Sequence, residues 1–335
     1  MRKPKIWQKA SPLFSVFYCL FFIFFIFACN RSPEYYFAEG NRLAVSGNPG
    51  DAIQMYNRAL LLNKIYPEAL TSRGMVYEKT GDRQKARYDY EKAIAVDPAY
   101  VPAYNNLAAL FMDVGEYKEA VKRLTAALEI NPSYAHALLN RGISRYKLFD
   151  YPGALSDLSR AIELDPKLEL AYYQRALASA KLGYPAAAIK DLDSLISADP
   201  KVAAAWFERG RLKYNATDYP GAAEDFRRAA ELKPGAAAYL YWRAMASART
   251  GSYESALADL EITLKAVPAY AQAWLLRGDI YARLKDMDLA RQCYSTALEN
   301  DPTNAALYKA RIAALRDSTR HTVPAKPARK ARKKR

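Results

Sequence analysis

Cysteine and histidine are scarce in this chain of 335 residues, which contains three cysteines and two histidines. Cys19 and Cys29 lie in or directly after an N-terminal apolar run, so the rest of the chain cannot form a framework of disulfides. It must therefore be held together by packing. Neither His136 nor His321 has the spacing of a metal site, and no serine has a histidine partner for nucleophilic catalysis.

The sequence also lacks the short motifs that bind cofactors. It contains no Walker-type glycine loop, no dinucleotide fingerprint and no regular spacing of metal ligands. These absences leave no recognisable chemistry for an active site. We therefore predict that the protein is not an enzyme and that it uses no cofactor and no metal ion.

Acidic residues are missing from both ends of the chain, although the formal net charge is +15. Four basic residues precede the N-terminal apolar run, and eight basic residues follow Asp317 without any acid. The part between them is only mildly charged, unlike the uniformly basic surface of a nucleic-acid-binding protein. Nucleic acid is therefore not an expected partner.

Residues 13–28 form the longest apolar run of the chain, and Cys29 follows it directly. A positive start, an apolar middle and a small residue at the end are typical of a secretory signal. About 20 apolar residues suffice to span a bilayer, so an uncleaved membrane anchor is the alternative. In both interpretations the basic start stays in the cytoplasm and the rest of the chain is exported.

The end of this run, Ile26-Phe27-Ala28-Cys29, resembles the signal box of bacterial lipoproteins, in which the cysteine receives the lipid. The resemblance implies a signal peptide over residues 1–28 and a lipidated N-terminus with a short tether over 29–32. It also implies a protein of the bacterial cell envelope, anchored in a membrane and facing the periplasm. Asn30, rather than aspartate, follows the cysteine, which favours the outer membrane over the inner membrane.

The body of the chain repeats every 34 residues, and three series of residues keep this step. The prolines are Pro98, Pro132, Pro166, Pro200, Pro234, Pro268 and Pro302. The alanines are Ala52, Ala86, Ala120, Ala154, Ala188, Ala222, Ala256 and Ala290. The third series holds only glycine or alanine: Gly40, Gly74, Ala108, Gly142, Ala176, Gly210, Ala244 and Gly278. A fixed period of this length is typical of a repeat architecture.

These three series resemble the tetratricopeptide repeat (TPR), a helix-turn-helix unit of 34 residues. The resemblance implies an all-α fold, a right-handed superhelical solenoid of eight units over residues 33–304. A capping helix is expected at 305–317, followed by a basic disordered tail at 318–335. Small residues at the eighth and twentieth positions let the two helices approach closely, and large residues at the fourth and twenty-fourth fill the space between units. Stacking of the units supplies the core.

A charge pair recurs with the same step. Five units carry both an arginine at the seventh position and an aspartate at the twenty-third: Arg73 and Asp89, Arg141 and Asp157, Arg175 and Asp191, Arg209 and Asp225, and Arg243 and Asp259. Because the partners occur together in each unit, we expect salt bridges between helices rather than a row of arginines for an anionic ligand. In the eighth unit Arg277 faces Cys293.

The TPR resemblance implies a concave groove lined by the first helices of successive units. Its ligand-facing positions contain these candidates: Tyr146, Lys147, Tyr173, Lys181, Phe207, Tyr214, Tyr241, Trp242, Arg249, Leu276 and Arg283. Aromatic residues and arginine dominate binding energy at interfaces, although the rings could instead pack against neighbouring units. Phe37 occupies the place of the lysine in the clamp by which some TPR proteins hold acidic C-terminal peptides, so such a ligand is not expected.

We therefore predict a membrane-anchored scaffold or adaptor that binds other envelope proteins through the groove. One alternative is a carrier or transporter accessory that binds a small apolar ligand in the aromatic concave groove. The other is an uncleaved anchored TPR receptor for protein targeting. The tail is expected to contact anionic lipid or a wall polymer. Its candidate residues are Arg329, Lys330, Arg332, Lys333, Lys334 and Arg335.

Overall fold

The structure is a computed structural model that describes residues 31–320. Within this range it contains 17 α-helices and one short 3-10 helix and no strand, so the prediction of an all-α fold built from helix-turn-helix repeats is confirmed. The predicted signal peptide, Cys29 and the basic residues of the tail from Lys326 onward lie outside the described residues. None of the described helices is long and apolar enough to span a membrane.

The described residues divide between Asp165 and Pro166 into two compact units, each of which contains four repeats. A repeat consists of a first helix of 13 residues and a second helix of 14 residues. The first unit contains α1 (Pro33–Val45), α2 (Pro49–Leu62), α3 (Pro67–Lys79), α4 (Arg83–Val96), α5 (Val101–Asp113), α6 (Tyr117–Ile130), α7 (Ala135–Lys147) and α8 (Tyr151–Leu164). Each second helix packs against its own first helix and, within the unit, against the first helix that follows.

The second unit continues the same pattern and ends with an additional helix. It contains α9 (Glu169–Lys181), α10 (Pro185–Ala198), α11 (Ala203–Asn215), α12 (Tyr219–Leu232), α13 (Ala237–Arg249), α14 (Tyr253–Ala266), α15 (Ala271–Arg283), α16 (Met287–Asn300) and α17 (Ala305–Arg320). A 3-10 turn, Pro302–Asn304, leads into α17. Tyr308 and Leu315 of α17 are buried against the last repeat, so α17 covers the apolar end of the unit.

The turn between the two helices of a repeat requires a residue with positive φ at the fifteenth position. In five repeats this residue is glycine: Gly47, Gly81, Gly115, Gly183 and Gly251. Phe149, Thr217 and Lys285 adopt φ of 64–65° in the other three repeats, a conformation that costs a residue with a Cβ about 1 kcal/mol. In four repeats an aspartate follows and accepts a backbone hydrogen bond that caps the second helix: Asp82, Asp150, Asp218 and Asp286.

The eighth-position glycines make room for a large side chain of the same repeat. A Cβ on Gly74 would lie 2.6 Å from the ring of Tyr90, and a Cβ on Gly40, Gly210 or Gly278 would lie 2.6–2.8 Å from the twenty-fourth residue of its own repeat. The twenty-fourth side chain therefore fills the space inside its repeat, whereas the sequence interpretation placed it between units. The hydroxyl of Tyr90 donates a hydrogen bond of 2.8 Å to Glu78 of the first helix.

The predicted ladder of salt bridges is confirmed in all five repeats. In each repeat the arginine Nε donates to the aspartate Oδ2 over 2.7–2.9 Å, and Nη2 donates to Oδ1. The five aspartates are buried, with exposed fractions of 1–6%. Bidentate pairing in a dry environment fixes the relative position of the two helices.

Three of these arginines also reach the preceding repeat of their own unit. Arg73 donates to Asn57 over 2.5 Å, Arg141 donates to Thr125 over 3.3 Å, and Arg209 donates to Asp193 over 2.6 Å. Each of these acceptors is the twenty-fifth residue of the previous repeat. A single guanidinium therefore joins three helices, which couples the stability of adjacent repeats.

The eighth repeat lacks this pair because Cys293 stands where the aspartate would be. Cys293 is buried, and burial raises the pKa of its thiol. Arg277 lies over the ring of Trp274, but its buried Nε has no hydrogen-bond partner. The backbone geometry at position 293 matches that of a repeat with the ion pair. A Cβ built on Gly278 would lie 3.2 Å from the Cβ of Cys293, and a Cβ built on Gly210 would lie 3.2 Å from the Cβ of Asp225. An aspartate at position 293 would therefore have the same placement as in the other repeats.

Cys293→Asp is expected to stabilise the last repeat by about 1.5 kcal/mol, the lower end of the net contribution of a hydrogen bond to a charged group. The new carboxylate would accept the hydrogen bond that Arg277 Nε now lacks. Hydrogen exchange of the amides of α15 and α16 in the full chain measures the effect locally. Cys293→Asn, which has the same shape without the charge, is the control, and equal or faster exchange in Cys293→Asp would contradict the expectation.

Candidate functional site

The sequence-predicted groove residues lie on first helices, but they belong to both compact units. Tyr146 and Lys147 are on α7 of the first unit. The second unit contains the other nine: Tyr173 and Lys181 on α9, Phe207 and Tyr214 on α11, Tyr241, Trp242 and Arg249 on α13, and Leu276 and Arg283 on α15. Most of the predicted groove therefore belongs to the second unit.

Three of the predicted aromatic residues form one cluster between α11 and α13. The ring of Trp242 lies 5.7 Å from that of Tyr214 and 6.3 Å from that of Phe207, both edge-on. The ring centres of Tyr239 and Phe207 are 4.6 Å apart, and the cluster packs against the buried Phe226 of α12. The three predicted rings are half-buried, so they combine core packing with an accessible surface.

Arg211 covers one side of this cluster. Its guanidinium lies 5.5 Å from the centre of the Trp242 ring and 6.0 Å from that of Phe207, within the range of a cation–π interaction. Glu208, one turn earlier on the same helix, forms an ion pair of 2.9 Å with it. The arginine is therefore held in place and already has its carboxylate partner.

A cleft of about 290 Å³ lies beside the aromatic cluster, and we call it the α13–α15 cleft. Its apolar lining is Tyr214, Tyr241, Met245, Ala248, Leu275, Leu276 and Ile280. Its polar lining is Arg249, Gln272, Asp279, Arg283 and Arg311. The cleft therefore has an apolar floor with three arginines and one carboxylate around it.

Tyr241 forms part of the floor of the cleft and packs against Tyr270 with a distance of 4.8 Å between ring centres. Burial raises the pKa of Tyr241 to about 12. Its hydroxyl is therefore neutral over the whole physiological pH range. It offers a hydrogen bond to a ligand without adding a charge.

The charged groups of the cleft differ in how they are paired. Arg249 Nε donates to the hydroxyl of Tyr214 over 3.2 Å, and Arg249 forms no ion pair with another residue of the range 31–320. Arg311 of α17 lies 3.4 Å from Asp279, which also accepts a hydrogen bond of 2.8 Å from Tyr294. Arg283 is exposed and has no hydrogen bond or ion pair to any described residue.

The structure does not bring the remaining predicted residues into this cleft. Tyr173 packs against the core around Leu192, and Lys181 is exposed at the end of α9. Tyr146, on the first unit, lies 5.4 Å from the ring of Tyr151. The aromatic cluster and the cleft together thus contain all seven predicted residues that lie on α11, α13 and α15, whereas the two predicted residues of α9 lie apart from them.

Several residues of the site were missed by sequence reasoning. Arg211, Met245 and Asp279 occupy the ninth position of their repeats, which belongs to the ligand-facing set, and they could have been found by reading that position fully. Arg311 lies in α17 at the seventh place counted from Ala305. It thus corresponds to the ladder arginines, but α17 has no second helix after it within the described residues, and Arg311 contacts Asp279 of α15 instead.

The arrangement of the cleft is suited to binding. Within residues 31–320, no three histidine, cysteine, aspartate or glutamate side chains are grouped as a metal site would require. The cleft offers apolar area, aromatic rings and guanidinium groups. Together they can hold a surface that is partly apolar and partly anionic.

Comparison with known protein families gives matches over most of the body. One tetratricopeptide repeat profile matches residues 37–101, 173–237, 207–261 and 243–305, and a second matches 77–142. Comparison with curated protein sequences gives no match.

Solved structures share the fold at low sequence identity. PilF of Pseudomonas aeruginosa is 21% identical with a TM-score of 0.57, and the match covers 65% of this chain and 97% of PilF. A chain of the APC/C hetero-tetramer Cut9-Hcn1 is 17% identical with a TM-score of 0.56, and the match covers 84% of this chain but 55% of the other. Since the family profiles match more than half of the residues, and the helices repeat in the same way, the chain belongs to the tetratricopeptide repeat family.

Proposed function

We propose that the protein is a membrane-anchored TPR lipoprotein that acts as an interaction scaffold in a bacterial cell envelope. The lipid would be attached to Cys29, and the repeats would face the periplasm, with the outer membrane as the favoured location. The basic residues before the apolar run and the lipoprotein-like box at its end support this placement. The tail would add contacts with anionic lipid or a wall polymer.

The observation that carries the scaffold function is the aromatic cluster with its neighbouring cleft. Phe207, Tyr214 and Trp242 remain half-exposed on the first helices, although the second helices already supply a closed core. Aromatic side chains that are partly desolvated in the free protein lose little further entropy on binding and provide large contact areas. This surface is therefore suited to an apolar segment of another protein, in extended or helical form.

Replacing Phe207, Tyr214 and Trp242 together by alanine is expected to abolish the capture of specific envelope proteins by the full-length chain. The loss of three large contact residues at the centre of an interface removes most of its binding energy. Affinity capture from detergent-solubilised envelope, followed by mass spectrometry, identifies the proteins that each variant retains. The matched control replaces three exposed aromatic residues outside the first helices by alanine: Tyr88, Phe149 and Tyr184.

The control variant should retain the partners of the wild type, and circular dichroism should show that both variants are folded. Unchanged capture by the first variant would overturn the scaffold proposal for this surface.

The anchoring is tested separately by labelling with a radioactive fatty acid. Label that persists in Cys29→Ala, or a mature chain that still contains residues 1–28, would favour the uncleaved anchor.

One observation favours the carrier of a small apolar ligand as a second candidate function. A cleft of about 550 Å³ lies between α1 and α3 in the first unit, within the usual size range of ligand pockets. Its lining is mainly apolar and includes Val45, Tyr56, Met75 and Val76. A lipid or other small molecule that co-purifies in a fixed ratio with the chain would support this function, and its absence from the native extract would exclude it.

A further inference from the structure

Two sets of arginines in the second unit differ in their electrostatic surroundings. The ladder arginines on α9, α11 and α13 each bind a buried aspartate in two places: Arg175, Arg209 and Arg243. Arg249 and Arg283, at the thirteenth positions of consecutive repeats, have no carboxylate within ion-pair distance among the described residues. The positive charges of the ladder arginines are therefore neutralised by aspartates of the protein, whereas the charges of Arg249 and Arg283 have no such partner among the described residues.

The two arginines stand at an apolar surface. They line the α13–α15 cleft together with Tyr241, Leu276 and Ile280. Ile280 is buried, and the pKa of Tyr241 is raised because its surroundings disfavour a charge. A carboxylate that entered the cleft would be partly desolvated, and its attraction to the guanidinium groups would be stronger than at an open surface.

The acids of this surface cannot neutralise the two arginines because they are already engaged. Glu208 is paired with Arg211, and Asp279 accepts from Tyr294 and lies 3.4 Å from Arg311. No other acid lines the cleft. The negative charge that complements the cleft must therefore come from the ligand.

We propose that the α13–α15 cleft binds a partner-protein segment that carries aspartate or glutamate side chains beside its apolar residues. The inference rests on the proposed scaffold function and specifies the chemistry of its ligand. The chain's own C-terminal tail is not the occupant, because eight basic residues and no acid follow Asp317. A basic segment would be repelled by Arg249 and Arg283.

The repeat geometry indicates how the ligand's acids should be spaced. Arg249 and Arg283 have the same position on neighbouring first helices, whose axes are expected to lie about 10 Å apart. An extended segment spans about 10 Å in three residues, and a helix spans about 10 Å in seven. Carboxylates at i and i+3 of an extended ligand, or at i and i+7 of a helical ligand, would therefore reach both guanidinium groups.

Binding of fluorescent peptides to the full-length, detergent-purified chain tests the inference. The probes are three peptide pools of about 15 residues with the same apolar positions, in which the remaining charged positions are all Glu, all Gln or all Lys. We expect the Glu pool to bind about tenfold more tightly than the Gln pool at low salt, and the Lys pool to bind least. The preference should decrease as salt is raised.

The decisive variant is Arg249→Gln with Arg283→Gln. It is expected to remove the roughly tenfold preference for Glu over Gln while leaving the affinity for the Gln pool nearly unchanged, since the apolar floor is intact. The matched control, Lys190→Gln with Lys233→Gln, removes the same charge from exposed positions of α10 and the end of α12. It should retain the preference.

The outcomes separate the inference from the function on which it rests. Equal binding of the Glu and Gln pools, reduced by Trp242→Ala, would overturn the acidic preference and keep the scaffold. Equal loss of preference in the double variant and in its control would overturn the assignment to the cleft. Absence of binding by every pool would overturn both, and displacement of the Glu pool by a fatty acid alone would overturn the assignment of a protein ligand to the α13–α15 cleft.

Discussion

Asp225→Ala is expected to lower the free energy of unfolding of the full chain by about 3 kcal/mol, the effect of breaking a buried ion pair from one side. Asp225 is 1% exposed and binds Arg209 through two hydrogen bonds of 2.6 and 2.9 Å. Lys213 also lies 2.9 Å from it. Its hydrogen bonds raise the pKa of Arg209, and without it Lys213 and two of the three guanidinium nitrogens of Arg209 would lose their buried partner. Urea unfolding followed by circular dichroism measures the effect.

The matched control uses the second acid that contacts the same arginine. Asp193 accepts from Arg209 over 2.6 Å, but its side chain is 52% exposed. Asp193→Ala is expected to cost less than about 1 kcal/mol, as is usual for exposed ion pairs. A similar loss of unfolding free energy in the two variants would contradict a role of burial in the ladder. It would indicate that the number of charges near Arg209 matters and their burial does not.

Gly74→Ala is expected to destabilise the second repeat by about 2 kcal/mol through overpacking. In an open helix the same substitution would stabilise by up to about 1 kcal/mol, because glycine is a poor helix former. At Gly74 the new Cβ would lie 2.6 Å from the ring of Tyr90, which is fully buried and is held by its hydrogen bond to Glu78. Gly50→Ala is the control, since a Cβ at that position of α2 has no neighbour within 4 Å.

A second substitution distinguishes a clash from any other effect at this position. Repeats with alanine at the eighth position have leucine at the twenty-fourth: Ala108 with Leu124, Ala176 with Leu192, and Ala244 with Leu260. Tyr90→Leu should therefore relieve part of the cost of Gly74→Ala. The loss in the double variant is expected to be smaller than the sum of the single losses, and strict additivity would contradict the packing argument.

The helical architecture was predictable from the sequence because it depends on residues that recur in every repeat. Proline and the small residues at the eighth and twentieth positions keep the step of 34, and their effects on helix ends and helix spacing are local. The ion pair of Arg209 with Asp225 was also predictable, since its partners are 16 residues apart in five repeats. The second partner of Arg209, Asp193, was not, because its position varies among asparagine, glutamate, threonine, serine, aspartate and arginine from repeat to repeat.

The candidate site was predictable only in part, since it depends on which surfaces the packing leaves open. Phe207, Tyr214, Trp242 and Arg249 were identified from their positions in the repeat. Tyr173 was identified in the same way, but the structure packs it against the core around Leu192 rather than in the cleft. Arg311 also lines the cleft, but this could not be predicted, because it depends on how α17 packs against the last repeat and the repeat pattern does not specify that packing.

The most direct test of the account is site-specific crosslinking in the native membrane. A photoreactive residue at Gln272 would lie in the α13–α15 cleft, and one at Ile262 would lie on the second helix of the preceding repeat, where 51% of the side chain is exposed. We expect discrete protein adducts from position 272, and their loss when Trp242→Ala is added, with none of them from position 262. The same adducts from both positions, or adducts from position 262 alone, would contradict binding through the first helices.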